Sequence, residues 1–232
     1  MGTLTLADFR EEVRLICGGL PTGSTVWTND AIDRRINASY LWCSMPNHYR
    51  HPELEEITYI TLLADTARYA LTSDYYMITG VSHAHAATLP IGTLTDSTRR
   101  TKLDPLNIRD LLTIDRQEGR PSHYAFWDNI IVLSNTPDTT SAGQTLEVYG
   151  YEQPATLSAP AAVTVLKPEW DEIIVIGAEW RMWISMGEPD RAYEAKQNLG
   201  ALVNEVADIR RLHAEEWGWQ TSGGPQQMMR TD

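Results

Sequence analysis

The repeat distance of apolar residues changes twice along this 232-residue chain, and that change limits its fold more than any other feature. A helix returns side chains to one face every third or fourth residue, whereas a strand does so on alternate residues. Near the N-terminus Leu6, Phe9, Val13 and Ile16 follow the helical spacing, with Thr5 and Asp8 where a capping pair belongs. Gly18-Gly19 and then Pro21 end that run. Thr28 or Asn29 caps a second helix, in which Ile32, Ile36, Tyr40 and Cys43 form an apolar stripe. Asp30, Asp33, Arg34, Arg35 and Asn37 face away from that stripe, and Pro46 is its stop. Two short helices joined by a Gly/Pro/Ser/Thr loop make a helical hairpin.

From about Ile57 to Tyr151 the pattern becomes that of strands and turns. A strand is expected over Tyr75–Val81, after a Thr-Ser-Asp turn. His123–Trp127 and Ile130–Leu133 read as two strands joined by Asp128-Asn129, a hairpin turn. Pro137–Gly143 is a loop, and Leu146–Tyr151 alternates with Leu146, Val148 and Gly150 on one face. The polar stretch Thr93–Pro105 reads as a long loop, and Asn107–Gln117 fits a short helix or a strand.

Helical spacing returns after Pro168, which suits a first helical position. Trp170, Ile173, Ile174, Gly177, Trp180, Arg181 and Ile184 form one wide face with a single charged member. Gly187 ends that helix and Pro189 opens another, marked by Tyr193, Leu199, Leu202, Val203, Val206, Ile209 and Leu212. The segment after Trp217 lacks periodicity and is expected to be a flexible tail. The expected fold is α+β: a discontinuous helical bundle, two helices from each end of the chain, carrying an inserted β-rich domain. The boundaries are 1–52 for the N-terminal hairpin, 53–160 for the insert, 161–217 for the C-terminal helices and 218–232 for the tail.

Composition narrows the function. Hydrophobic residues at 42% and charged residues at 22% suit a soluble globular protein, and no apolar run is long enough to span a bilayer. The first residues have neither the basic region nor the apolar stretch of a secretory signal. Nineteen basic against 31 acidic residues give a net charge of −12, so a stable grip on DNA phosphates is not expected. Either the surface is simply acidic, or it forms a wall past which DNA slides without sticking. Cys17 and Cys43 read as reduced core thiols.

No phosphate loop, nucleophile elbow or HExxH motif is present. His83 and His85 could share a strand face near a metal, but no Cys or carboxylate joins them at ligand spacing, so they read as surface or loop residues. His48 and His51, at a helix end, read the same way. Glu53, Glu55 and Glu56 cluster near a loop, and Glu11-Glu12 lack a matching histidine. Glu169, Asp171 and Glu172 fall in a first helical turn, where the helix dipole alone favours carboxylates. No catalytic residue, metal or cofactor is therefore assigned. Trp and Tyr outnumber Phe, at eight and ten against two, which tilts the reading towards an assembling protein. Trp180 and Trp183 lie about 60° apart on a helix and either anchor a subunit interface or belong to the core.

The order of these segments resembles the head–tail adaptor, or connector, proteins of tailed bacteriophages. The segments that carry the likeness are Asp30–Tyr40, Tyr69–Ile78, the Gly-x-Pro-x-x-Tyr turn at Gly119–Tyr124, the strand and Pro-Asp loop at Ile130–Asp138, and Val148-Tyr149-Gly150-Tyr151 leading to Gln153–Leu157. A terminal helix pair closes the pattern, and the likeness covers roughly residues 5–215. Ser134-Asn135 stands where a Pro is common, and His83–Pro90 does not align.

The resemblance implies a non-enzymatic structural protein of the virion neck, made in the host bacterial cytoplasm. It implies a homo-oligomeric ring of about twelve subunits on the portal protein, with the next neck or tail protein at its far end. DNA would pass through the ring without specific binding, and no membrane is involved. In such adaptors the C-terminal tail commonly meets the portal. Here that tail offers Trp217, Trp219, Met228, Met229 and Arg230 as portal anchors. Two alternatives remain open: another neck or tail component, such as a tail-completion or nozzle protein, and a helical Mg²⁺-dependent nucleotide hydrolase using the acidic helix residues.

Overall fold

The structure is a computed structural model, and it describes residues 2–46, 49–84, 100–114 and 116–216. In chain order its elements are α1 (Leu6–Ile16), α2 (Asn29–Cys43), β1 (Glu55–Thr61), β2 (Arg68–Ala70) and β3 (Tyr75–Ala84). Next come β4 (Arg100–Lys102), β5 (Asp104–Pro105), α3 (Ile108–Thr113), β6 (His123–Trp127), β7 (Ile130–Leu133) and β8 (Thr145–Glu152). The chain closes with α4 (Asp171–Met186) and α5 (Pro189–Glu216). The fold is mixed α+β, with five helices and two sheets among the described residues. The chain divides into two compact units, residues 1–43 with 156–232, and residues 44–155.

In the helical unit α4 packs against α1, α2 and α5. The capping box that opens α1 is complete: the Thr5 hydroxyl accepts from the Asp8 amide, and Asp8 accepts from the Thr5 amide at 2.9 Å. Leu6, Phe9 and Val13 are fully buried, but Ile16 is exposed. The fourth inward position of α1 belongs to Arg14, which is 5% exposed. Its guanidinium donates to the carbonyls of Pro21 and Trp27, at 2.8 and 3.1 Å, and to Asn29 Oδ1 at 3.1 Å. A buried cation thus holds the loop that turns α1 into α2 by charge-assisted hydrogen bonds to its backbone oxygens. Thr28 begins α2, its hydroxyl accepting from the Ala31 amide at 3.3 Å.

Two close approaches position α4. A Cβ on Gly177 would collide with the Ser39 side chain of α2, so only glycine allows these helices to meet there. At the start of α4 the buried Asp171 carboxylate accepts from the Thr3 amide, the Thr3 hydroxyl and the Leu4 amide, at 2.7, 3.0 and 3.1 Å. It thereby ties the N-terminal residues to α4. The buried stripe of α5 differs from the sequence expectation. Tyr193 is 66% exposed, and the inward residues are Ala192, Ala195, Leu199 and Val206. Alanines at the first two positions let α5 lie close to α4, which a search for large apolar residues overlooks.

The second unit holds both sheets, ordered β1-β8-β3-β4 and β2-β7-β6-β5. All pairings are antiparallel except β5 with β6. One core joins the sheets: Leu146 and Val148 of β8 and Val81 of β3 meet Tyr69, Tyr124, Ile131 and Leu133. The alternate residues Ala125 and Val132 face the other way, onto Leu111 of α3. This explains the unbroken apolar run Ile130–Leu133, a strand covered on both faces. Asp128 and Asn129 both have positive φ, 49° and 58°, as a two-residue primed hairpin turn requires. Gly150 is required by packing, because a Cβ there would come within 2.5 Å of the Tyr75 ring.

One open alternative is decided in this region and one expectation changes. Asn107–Gln117 contains a helix, α3, capped by Asn107 Oδ1, which accepts from the Arg109 amide at 3.0 Å. Thr93–Pro105 is not all loop, since β4 pairs with Ser82–Ala84 and β5 with His123-Tyr124. Those short polar strands form because sheet edges offer unpaired backbone groups, not because their own composition favours a strand. Residues 85–99 lie outside the described residues.

Candidate functional site

The groups that could carry chemistry are mostly used in holding the fold. Asp171, the most buried of the first-turn carboxylates of α4, is occupied by the N-terminal residues, and Glu169 and Glu172 are exposed. His51 and His83, expected at the surface, are buried at 0% and 1% exposure. His83 lies in β3 between β4 and β8, opposite Thr101 and Leu146, and the His51 ring meets Tyr49 edge-on with centroids 5.0 Å apart. His48 and His85 lie outside the described residues. Among the described residues no group of three or more His, Cys, Asp or Glu could hold a metal ion. Glu56 on β1 faces Glu152 of β8, and the hydrogen bond between these carboxyls holds the Glu56 pKa above its ordinary value. The nearly buried Glu147 of β8 is neutralised by Arg100 at 2.9 Å.

The two buried thiols are chemically quiet. Burial raises the pKa of Cys17 and of Cys43 to about 12, so neither is a thiolate near neutral pH.

The described surface features suit protein contact. Trp183 is 6% exposed, its indole donates to Glu179 at 2.9 Å, and the Arg191 guanidinium stacks over its ring at 4.6 Å. Trp180 is half-buried, with Arg181 at 5.0 Å and the Lys196 ammonium at 5.9 Å from its ring centre. The Arg191 and Lys196 contacts stitch α5 to α4 within one chain, whereas Arg181 stacks on its own helix. Of the pair, Trp180 retains accessible surface while Trp183 is enclosed. The β unit has a cleft of about 620 Å3 lined by Trp127, Leu112, Ile130, Arg68 and Arg109, and Trp127 at its rim is 61% exposed.

A second hollow, of about 330 Å3, lies between α2 and α4 and is lined by Arg34, Arg35, Ala38, Arg181, Ile184 and Ser185. Arg34 Nε donates to the Asp30 carbonyl at 3.3 Å, and Arg35 donates to the Ala31 carbonyl and the Ser185 hydroxyl, both at 3.1 Å. Arg181 donates to the Gly177 carbonyl at 2.9 Å, and burial lowers its pKa. The periodicity of α2 marked Arg34 and Arg35 only as outward-facing. Nothing local joins them to Arg181, nearly 150 residues away, so sequence spacing could not reveal the groove.

The model of the SU10 adaptor protein family matches residues 4–226, nearly the whole chain. The chain belongs to the SU10 adaptor protein family. No curated protein matches it. As a member of this family it is a phage adaptor-type protein, a structural virion component that acts by contact with other capsid or tail proteins. Such families are generally non-enzymatic. Among the described residues no helix is long and apolar enough to cross a membrane. Membership in the SU10 adaptor family agrees with the resemblance read from the order of segments. Trp217, Trp219, Met228, Met229 and Arg230, proposed as anchors, lie outside the described residues.

Proposed function

We propose that this chain is the head–tail adaptor of a phage neck, joining portal to tail as one subunit of a ring around the DNA exit channel. The observation that carries the reading is the match of the SU10 adaptor family over residues 4–226. Supporting it, Asp171 is committed to structure, and Trp180, Trp127 and the arginine groove offer surfaces for protein contact. In this reading the helical unit is a discontinuous bundle from which the β-rich unit is inserted. The resemblance to head–tail adaptors gives a ring of about twelve subunits, and closed cyclic symmetry repeats one contact around it. The net charge of −12 suits a channel wall that repels DNA phosphates and lets the duplex pass. Trp217, Trp219, Met228, Met229 and Arg230 are the portal anchors, and Trp180 supports the subunit interface, backed by the enclosed Trp183.

Cryo-electron microscopy of the virion neck, or of the protein mixed with its portal, tests the reading. Adaptor subunits should encircle the axis directly beneath the portal. Density placed further down the tail would assign the chain to a tail-completion or nozzle role instead. A phosphate-release assay with Mg²⁺ and nucleotides should give no turnover.

A further inference from the structure

The groove between α2 and α4 is basic in a strongly acidic protein. None of its three guanidinium groups has a carboxylate partner among the described residues: they donate to backbone carbonyls and one hydroxyl. Ile184 at its edge is 55% exposed. The opposite chemistry stands on the outer face of α1. Glu11, Glu12 and Leu15 span roughly 100° of that helix, away from the buried Leu6, Phe9 and Val13. Leu15 is 67% exposed, and neither glutamate forms an ion pair among the described residues.

Both features belong to the same compact unit, so their relative placement is defined. Asp33 of α2 is gripped by Arg10 of α1, with both nitrogen–oxygen distances 2.6 Å. Arg35 lies two residues on, roughly 160° around α2 from Asp33. The groove therefore opens on the side of α2 that faces away from α1. An acidic ridge carrying one exposed leucine and a basic groove carrying one exposed isoleucine occupy opposite flanks of one unit. Two unlike complementary surfaces on opposite flanks produce head-to-tail contacts, which close into rings when the rotation allows.

We infer that the occupant of the groove is a second copy of this chain, whose α1 ridge (Glu11, Glu12, Leu15) seats against Arg34, Arg35, Arg181 and Ile184. This rests on the ring reading above and names the contact that would build the ring. Leu15 would meet Ile184 at the centre, and the charges would fix the register and exclude wrong pairings.

The test uses the full-length chain in sedimentation at low ionic strength, with the thermal midpoint of each variant as a folding control. Wild-type protein should self-associate with increasing concentration, and added salt should reverse this. E11K/E12K and R34E/R35E should each weaken association by about tenfold or more, whereas the fourfold variant carrying both swaps should return to within about threefold of wild type. L15C/I184C should yield disulfide-linked dimers and higher multiples under oxidation. A wild type that stays monomeric throughout, single-side swaps without effect, or a fourfold variant that fails to recover would each overturn the proposal. A labelled DNA duplex bound by wild type and lost in R34E/R35E would also overturn it by assigning the groove to DNA. Imaging the variants on portal separates the two readings. Rings still formed by E11K/E12K would overturn this contact and leave the adaptor role standing, whereas wild type absent from the portal would overturn the adaptor role itself.

Discussion

Asp171 shows how a carboxylate in a first helical turn can be a clamp rather than a catalyst or a mere dipole partner. Replacing it with alanine leaves the Thr3 and Leu4 amides without their acceptor, and should destabilise the protein by roughly 2–3 kcal/mol in urea denaturation. A loss below about 0.5 kcal/mol would mean that water replaces the carboxylate at no cost. The two buried thiols make a prediction with a definite sign. Their folded-state pKa is raised to about 12 from an ordinary 9.0. Below about pH 9 both states are protonated and the contribution to stability is fully present. Between about pH 9 and 12 the unfolded chain loses the protons while the folded chain keeps them, so stability falls as pH rises. The buried Tyr69, Tyr124 and Tyr151, also shifted upward by desolvation, act in the same direction. Thermal midpoints should therefore drop from about pH 8 to about pH 10, and drop less in C17A/C43A. Equal slopes for the two proteins would show that the thiols contribute nothing.

Among the elements, α5 depends on tertiary packing most directly. Its inward stripe is narrow and partly made of alanine, and Leu199, at 4% exposure, is the most buried large apolar side chain along it among the described residues. Leu199→Ala should cost about 2–4 kcal/mol, and Tyr193→Ala, at a 66% exposed site, should stay within about 0.5 kcal/mol. Both follow from chemical denaturation, and a reversed order would mean that α5 is rotated about its axis. In the β unit, Gly150→Ala forces a methyl into the Tyr75 ring, which itself bonds Thr58 through its hydroxyl. The expected destabilisation is about 1–3 kcal/mol, and the near-ultraviolet dichroism of the tyrosines should change with it. An unchanged spectrum with unchanged stability would show that the ring moves aside freely.

For the whole molecule, the outstanding question is what the chain touches. If residues 217–232 supply the portal anchors, truncation after Glu216 should leave the thermal midpoint unchanged and abolish co-sedimentation with portal rings. Burying a large apolar side chain contributes about 1.5–3 kcal/mol, so Trp217, Trp219, Met228 and Met229 together can offset the entropy of ordering a short segment. Equal portal binding by the full-length and truncated proteins would remove the tail from the portal interface. The acidic excess makes a separate demand on the assembled ring: its lumen should carry more acidic than basic side chains. A predominantly basic lumen in a neck reconstruction would contradict the sliding role.

Local spacing determined a good deal by itself. The Thr5–Asp8 cap and the positive-φ turn at Asp128-Asn129 rest on interactions within a few residues, and the helical ends and strand-rich centre show in the local apolar period, so sequence order alone exposes them. The ordered set of segments also pointed to the phage adaptor class before any geometry. Other features were decided only by contact between distant parts of the chain. Ile130–Leu133 reads as an apolar run, but α3 is what buries its second face. Arg14 and Asp171 look like surface charges until the loop and N-terminal residues close over them. Ala192 and Ala195 carry no strong apolar signal, yet their small size sets how closely α5 lies on α4. The arginine groove exists because the glycine–serine approach brings α2 against α4, joining Arg35 to Ser185 across 150 residues. Periodicity reports which face of one element avoids water, whereas the partner that covers that face, and the charges gathered beside it, arise only when the elements pack.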